Sequence, residues 1–274
     1  MSGTLYVVGT PIGNLSDFSP RARQTLESVD FIAAEDTRVT LKILNHFEIK
    51  KPMISYFEHN RREKGAVICD RIEAGENCAI VTDAGMPCIS DPGEELVALC
   101  AERGITVAVV PGPTAALSAL AISGLPTGRF TFEGFLSMNK KSRLDHLKSL
   151  ENERRTMIFY EAPHKLGNTL KDLFETFSDR RISIVRELTK IHEEVIRTTL
   201  SEACEKYGSG GLKGEIVLIV EGKTEEEASS FTLEDAVSKA QQLIDEGFSA
   251  SEAAKQAAKA TGFRKNEIYK ELTK

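Results

Sequence analysis

Short apolar runs alternate along the chain with longer stretches in which apolar residues recur at helical spacing. That alternation predicts a mostly parallel sheet covered by helices on both faces. Thr4–Val8 reads as a buried first strand, with Gly9-Thr10-Pro11-Ile12-Gly13-Asn14 as its outgoing loop. Ser19-Pro20 caps a helix to Ser28, and Phe31–Ala34 is a second strand ending in Glu35-Asp36. A helix near Leu41–Phe47, a strand at Met53–Phe57 and a helix from Glu63 to Ala74, stopped by Gly75, follow. Ala79–Val81 is the next strand, Glu94–Arg103 a helix closed by Gly104, and Ile105–Val110 another strand. Pro111-Gly112-Pro113-Thr114 then opens a helix that runs through Ser123.

Gly124-Leu125-Pro126-Thr127-Gly128 is dense in helix and strand breakers and marks a domain boundary. Beyond it, strand patterns at Phe130–Phe135, Thr156–Tyr160, Ile182–Arg186, Glu194–Thr199 and Glu215–Val220 are interleaved with helices over Lys140–Leu150, Lys165–Phe177 and Ser201–Tyr207. The close spacing of strands in this half predicts a hairpin and hence a mixed sheet. The polar, acidic run from Gly222 to Ser230 reads as a tether. After it, Leu233–Glu246, Ala250–Ala260 and Lys265–Leu272 read as short helices, the last two turned past each other by Thr261-Gly262-Phe263 at helix-turn-helix spacing. The expected organisation is therefore α/β: an N-terminal domain over 1–124, a second α/β domain over 125–222, a linker at 223–230 and a helical unit over 231–274.

The chain's organising stretch is Val81–Gly93, where a strand gives way to Gly, Pro, Ser and Asp before a helix begins. Asp91 and Pro92 fit a simple helix start, as cap and first helical residue. Thr82–Ser90 is too long and too rich in backbone-shaping residues for that purpose alone. A loop of this kind at the carboxyl end of a strand is where open α/β sheets bind ligands.

Composition narrows the class. With 41% apolar and 28% charged residues in 274, this is an ordinary globular chain. No apolar run approaches the roughly 20 residues that span a bilayer, and no basic or apolar leader precedes Thr4. Five cysteines without a C-x-x-C pair indicate neither a zinc knuckle nor a disulfide frame. A cytoplasmic location and no bound metal are expected. The net charge of −6 argues against indiscriminate nucleic-acid binding, although Ser249–Lys274 carries six basic residues against three acidic ones, a local +3.

A glycine loop after a first strand, with Glu35 some twenty residues on, has the outline of a dinucleotide fingerprint. Here the second glycine is missing, Pro11 removes an N–H from the cradle, and the helix starts only after Ser19. No lysine follows Gly13, which excludes a Walker loop. What remains is a ligand that needs close backbone contact without an anion nest.

These residues also carry a family resemblance. Gly9-Thr10-Pro11-Ile12-Gly13-Asn14-Leu15, Ala33-Ala34-Glu35-Asp36-Thr37-Arg38, Thr82–Pro87 with Ile89–Gly93, and Val110–Ala115 resemble the tetrapyrrole methylase superfamily. Phe159–His164, Arg186-Glu187-Leu188-Thr189-Lys190 and Lys213-Gly214-Glu215 are similar to one branch of it, the ribosomal RNA small-subunit methyltransferase I group. The resemblance covers Leu5–Glu221, with Cys88 standing where Leu or Ile is common.

The resemblance implies S-adenosylmethionine as methyl donor, bound between two α/β domains, and a homodimer. It further implies a cytidine ribose 2′-hydroxyl in the decoding region of small-subunit (16S) ribosomal RNA, free or in the assembled 30S subunit, as acceptor. The donor is expected between Gly9, Pro11, Gly13, Asp83, Ala84, Gly85, Met86, Ser90, Pro113, Thr114 and Ala115 on one side and Tyr160, Glu161, Ala162 and Gly214 on the other. Transfer to a hydroxyl calls for a base, and Glu187 with Lys190 is the first candidate pair. Glu35 and Asp36, with Arg38 as a phosphate clamp, are the second. Lys255, Arg264 and Lys265 are the expected RNA contacts of the tail. Two other functions fit parts of the chain: carbon methylation of a tetrapyrrole, and nucleic-acid regulation without catalysis through the helix-turn-helix segment.

Overall fold

The computed structural model describes residues 2–224 and 233–273. Strands β1 (Thr4–Val8), β2 (Phe31–Ala34), β3 (Met53–Ser55), β4 (Cys78–Val81) and β5 (Thr106–Val110) form a parallel sheet in the order β3-β2-β4-β1-β5. Helices α1 (Pro20–Ser28) and α2 (Thr37–His46) bury Leu26 and Leu44 against Val8, Ile32, Val81 and Val110 on one face. On the other face α3 (Arg61–Glu73) and α4 (Glu94–Glu102) bury Ile68, Ile72 and Leu96 against Leu5, Phe31 and Ile80. Every residue of β2 and β4 is buried, which is why both read as unbroken apolar runs rather than alternating ones. Neighbouring strands β1 and β4 send their chains to opposite faces, so a crevice opens at their carboxyl ends.

Local capping explains most element boundaries. Ser19 Oγ accepts from Ala22 N–H and Pro20 sits in the first turn, as the sequence predicts for α1. Helix α2 starts earlier than its apolar pattern, because Asp36 caps it through Arg38 N–H at 2.8 Å. Helix α4 starts at Glu94, as its pattern predicts, but without the expected cap. Its N-cap is Gly93 at φ 138°, with Glu94 and Glu95 in the first turn, so Asp91 and Pro92 lie outside the helix.

Helix α5 (Ala115–Ser123) is capped by Thr114 and ended by Gly124 at φ 79°. Its packing reaches beyond the first sheet. Ala116, Ala119 and Leu120 lie against Ile158, Val185, Val217 and Ile219 of the second domain. That domain's sheet comprises β6 (Phe130–Phe135), β7 (Thr156–Glu161), β8 (Arg181–Arg186), β9 (Glu194–Thr199) and β10 (Ile216–Val220), in the order β6-β7-β10-β8-β9. It is mixed: β6 runs parallel to β7, the other pairings are antiparallel, and β8–β9 is a hairpin. Helices α6 (Lys140–Ser149), α7 (Leu166–Phe177) and α8 (Leu200–Tyr207) cover its outer face, burying Leu147, Leu173 and Ala203 against Phe159, Ile184 and Leu218. The inner face is left to α5 and to a cavity. A bulge between Phe132 and Gly134 shifts the register of β6, with Gly134 at φ 64°.

The tail forms α9 (Leu233–Asp245), α10 (Ala250–Thr261) and α11 (Lys265–Leu272) around a small core of Ala236, Ala240, Ala253, Ala257 and Ile268. Gly262, at φ 79°, ends α10 as the turn requires. The tether expected at 223–230 falls largely outside the described residues; Lys223 is still docked, donating its N–H to Glu153 O at 2.6 Å. No described helix is long and apolar enough to cross a membrane.

Candidate active site

The loops that leave β1, β4 and β5 are laced together. Thr10 and Gly85 exchange backbone hydrogen bonds of 2.9 and 3.1 Å, and Thr10 Oγ1 donates to Thr82 O at 3.1 Å. Gly9 lies back to back with Gly112: a Cβ on Gly9 would sit 2.7 Å from Gly112 Cα and 2.7 Å from Met86 Sδ. Gly112 N–H in turn points at Met86 Sδ, 3.3 Å away. The glycine at position 9 therefore serves contact between loops.

Above these loops lies a cavity of 860 Å³, closed on its far side by the inner face of the second sheet. The first domain contributes Ile12, Glu35, Asp83–Met86, Ile89, Ser90, Asp91 and Thr114–Leu117. The second contributes an apolar wall of Phe130, Phe132, Phe135, Ile158, Val185 and Val217, with Tyr160–Pro163 and Gly214–Ile216 at its edge. Tyr160 ties the two together, its Oη accepting from Ala116 N–H at 3.2 Å while its ring packs on Phe132 and Phe135 at 5.0 and 5.4 Å. Burial raises the pKa of its phenol. Glu161, the last residue of β7, accepts from Ala162 N–H at 2.7 Å and from Thr169 Oγ1 of α7.

Of the expected donor-binding residues, Asp83, Ala84, Gly85, Met86, Ser90, Thr114, Ala115, Tyr160, Glu161, Ala162 and Gly214 line this cavity. Gly9, Pro11, Gly13 and Pro113 do not. Pro113 belongs to a second hollow of 480 Å³ with Gly112, Ile12 and Thr189. Gly13 supports Lys190, whose Cγ would lie 2.7 Å from a Cβ at that position. The aromatic wall is the feature that sequence reasoning left out, although Phe130 and Phe132 show strand alternation. Asp91 is not among the expected site residues, because Asp-Pro before a helical pattern reads as a cap.

Two ionic clusters flank the cavity. Lys190 Nζ lies 3.0 Å from both Glu187 Oε1 and Glu215 Oε2. Glu187 also accepts from Glu215 N–H at 2.9 Å and holds a left-handed backbone, φ 52°, as does Thr189 at φ 64°. The Glu215 amide and Lys190 lower the pKa of Glu187. Burial pushes Lys190 down, but its two carboxylate partners outweigh it and the ammonium is stabilised. That shift favours the charged ammonium over a lysine deprotonated by burial.

At the first-domain end, Glu35 accepts from Thr82 Oγ1 and Asp83 N–H, and Asp83 accepts from Asp36 N–H at 3.2 Å. Asp36 itself is tied to Arg38 at 2.6 Å, which pulls its carboxyl down to about 2. Arg38 stands in solvent with its side chain 87% exposed. Asp91, freed from any capping role, is pushed up to about 7 by burial and by Glu35 and Asp83. It follows Cys88 and Ser90, two non-glycine residues at φ 71° and 67°, a strained approach of the kind found at functional loops. His164 and His192 are exposed.

Comparison with known proteins accords with this architecture. The family model described as tetrapyrrole (corrin/porphyrin) methylases matches residues 4–204. The uroporphyrin-III C-methyltransferase of Thermus thermophilus, solved in complex with S-adenyl homocysteine, shares the fold at a TM-score of 0.55 and 18% identity, over 80% of this chain and 97% of that one. The chain belongs to the tetrapyrrole methylase family. Within it, the chain is similar to the ribosomal RNA small subunit methyltransferase I of Synechocystis, 48% identical over 97% of this chain and 96% of the relative. The protein of that name from Thermotoga maritima is also 48% identical, over 81% of this chain and 99% of its own length.

The laced loops generate a direct test. Gly9→Val should destabilise the protein by about 1–3 kcal/mol through overpacking against Gly112 and Met86. Gly128→Ala, where a Cβ would meet nothing within 4 Å, should stay within about 0.5 kcal/mol. Denaturant midpoints of the two variants check the difference.

Proposed function

We propose that the protein methylates the 2′-hydroxyl of a cytidine in the decoding region of small-subunit ribosomal RNA, with S-adenosylmethionine as donor. The observation that carries this reading is the cavity itself, apolar and aromatic on one wall and acidic at the end formed by Glu35, Asp83 and Asp91. Its residues fit the donor. The backbone N–H groups of Thr10, Gly85 and Gly9 are used within the protein, at 2.9, 3.1 and 3.1 Å, and offer no phosphate cradle. A nucleoside with a positive sulfonium needs none.

The bound donor supplies a methyl group on that sulfonium. Asp83, Ala84, Gly85, Met86, Ser90, Thr114 and Ala115 hold it from one side, and Tyr160, Glu161, Ala162 and Gly214 from the other. Phe130, Phe132 and Phe135 keep water out, which favours a reaction in which opposite charges disappear. Gly9, Pro11, Gly13 and Pro113 shape the loops from behind. Alignment of the two reactants supplies most of the acceleration.

Glu187 and Lys190 receive the acceptor. A phosphate drawn to Lys190 replaces the exposed Glu215 carboxylate, 77% exposed, and leaves Glu187 to take the hydroxyl proton. Because its pKa is lowered, Glu187 is a weak base and its contribution falls at the low end of the usual 10²–10⁴-fold. Glu35 and Asp36 are the second pair for this role, with Arg38 as a clamp on the RNA backbone. The tail adds RNA affinity through Lys255, Arg264 and Lys265, all exposed.

Mapping ribose methylation in small-subunit RNA from cells with and without the protein tests the reading as a whole; an unchanged map would end it. Glu187→Gln should lower the single-turnover rate by about a hundredfold with donor affinity intact, whereas Lys190→Met should mainly weaken RNA binding. If both variants keep near-native rates, Glu35→Gln and Asp36→Asn become the variants that should lose them. Replacing Arg264 and Lys265 together by Ala should weaken RNA binding and reduce its salt dependence by about two ion equivalents. RNA affinity unaltered in that double variant would make the tail a packing element.

A further inference from the structure

The carboxylates around the cavity are not equally answered. On the second-domain side, Glu161 is held by Ala162 N–H and Thr169, and Glu215 by Lys190. At the first-domain end, Glu35, Asp83 and Asp91 take part in none of the ion pairs found among the described residues. Arg38, whose charge is felt at Asp83, is engaged by Asp36 and turned into solvent. The groups facing Asp91 are Glu35 from the end of β2, Thr82 and Asp83 from the end of β4, Cys88 on its own loop and Tyr160 from β7. Burial holds Cys88 up near 11 and raises Tyr160, so both stay neutral. The pole thus consists of carboxylates and neutral groups beside a space of 860 Å³ with an aromatic wall. In such surroundings a positive charge is worth far more than in water.

We propose that the Glu35–Asp83–Asp91 pole reads the charge of the methyl donor, holding the sulfonium and releasing the neutral thioether that remains once the methyl has left. This rests on the donor reading above and extends it to a means of discriminating donor from product. Below about pH 7 the counter-charge alternates: the sulfonium when donor is bound, a proton on Asp91 when the site is empty or holds product. With Asp91 pushed up to about 7, donor binding at neutral pH releases about half a proton, and product binding releases none.

The test is calorimetric titration of the full-length protein with S-adenosylmethionine and with S-adenosylhomocysteine across the neutral range. The donor should bind about tenfold more weakly at about pH 6 than at about pH 8, while the product changes by less than about twofold. Asp91→Asn should flatten the donor curve, leaving only what the donor's own amine contributes. Glu35→Gln, which removes one neighbouring charge, should move the break to lower pH, and it keeps the inference testable should Asp91→Asn fail to fold. Parallel curves for donor and product in the native protein would overturn the inference. Binding of neither nucleoside at any pH would overturn the donor reading, and this inference with it.

Discussion

Everything at this site depends on the contact between Gly9 and Gly112. Two backbones from non-adjacent parts of the chain approach so closely that neither position has room for a β-carbon. That approach brings the β1 and β5 loops together, and the paired hydrogen bonds of Thr10 and Gly85 add the β4 loop. Three flexible segments become one rigid floor. The loss of backbone freedom, on the order of 1–2 kcal/mol per residue, is met during folding rather than on binding. The same bonds use the amides that a phosphate would otherwise need, so the floor selects by shape and by side-chain charge.

The second domain completes the site by resting side chains on that floor. Tyr160 reaches the first turn of α5, and the stem of Lys190 lies over Gly13. Lys190 can do so only because Gly13 has no side chain, and its ammonium then has Glu187 and Glu215 as partners on its own side. The two contacts set the width of the cleft. They also place the Lys190–Glu187–Glu215 ion-pair cluster on one side of the cavity and the carboxylates that lack an ion pair on the other.

Much of this was legible in the sequence because it is encoded locally. The apolar runs, the Ser19-Pro20 and Thr114 helix starts, the mixed second sheet and the tail helices all follow from residues near one another in the chain. The failures have the opposite character. Asp91 looks like a cap, and only the fold reveals that Gly93 takes the position. Gly9 looks like a ligand glycine until Gly112 is brought against it. Helix α5 belongs to the first domain by order and to the second by packing, since its alanines have no partner until β7, β8 and β10 are in place. The acidic pole gathers Glu35, Asp83 and Asp91 from separate loops, and no linear spacing announces it.

The bulge in β6 shows how a wall can be specified by counting. In a regular strand, residues separated by an odd number of positions point to opposite faces. Phe132 and Phe135 are so separated, yet both line the cavity, because the register slips between Phe132 and Gly134. The aromatic surface is thus written partly in the spacing of the chain. Were the bulge ironed out with the number of residues unchanged, Phe135 would turn outward with every phenylalanine still present. A comparison made by residue identity alone would pass such a chain as intact, although its cavity had lost part of a wall.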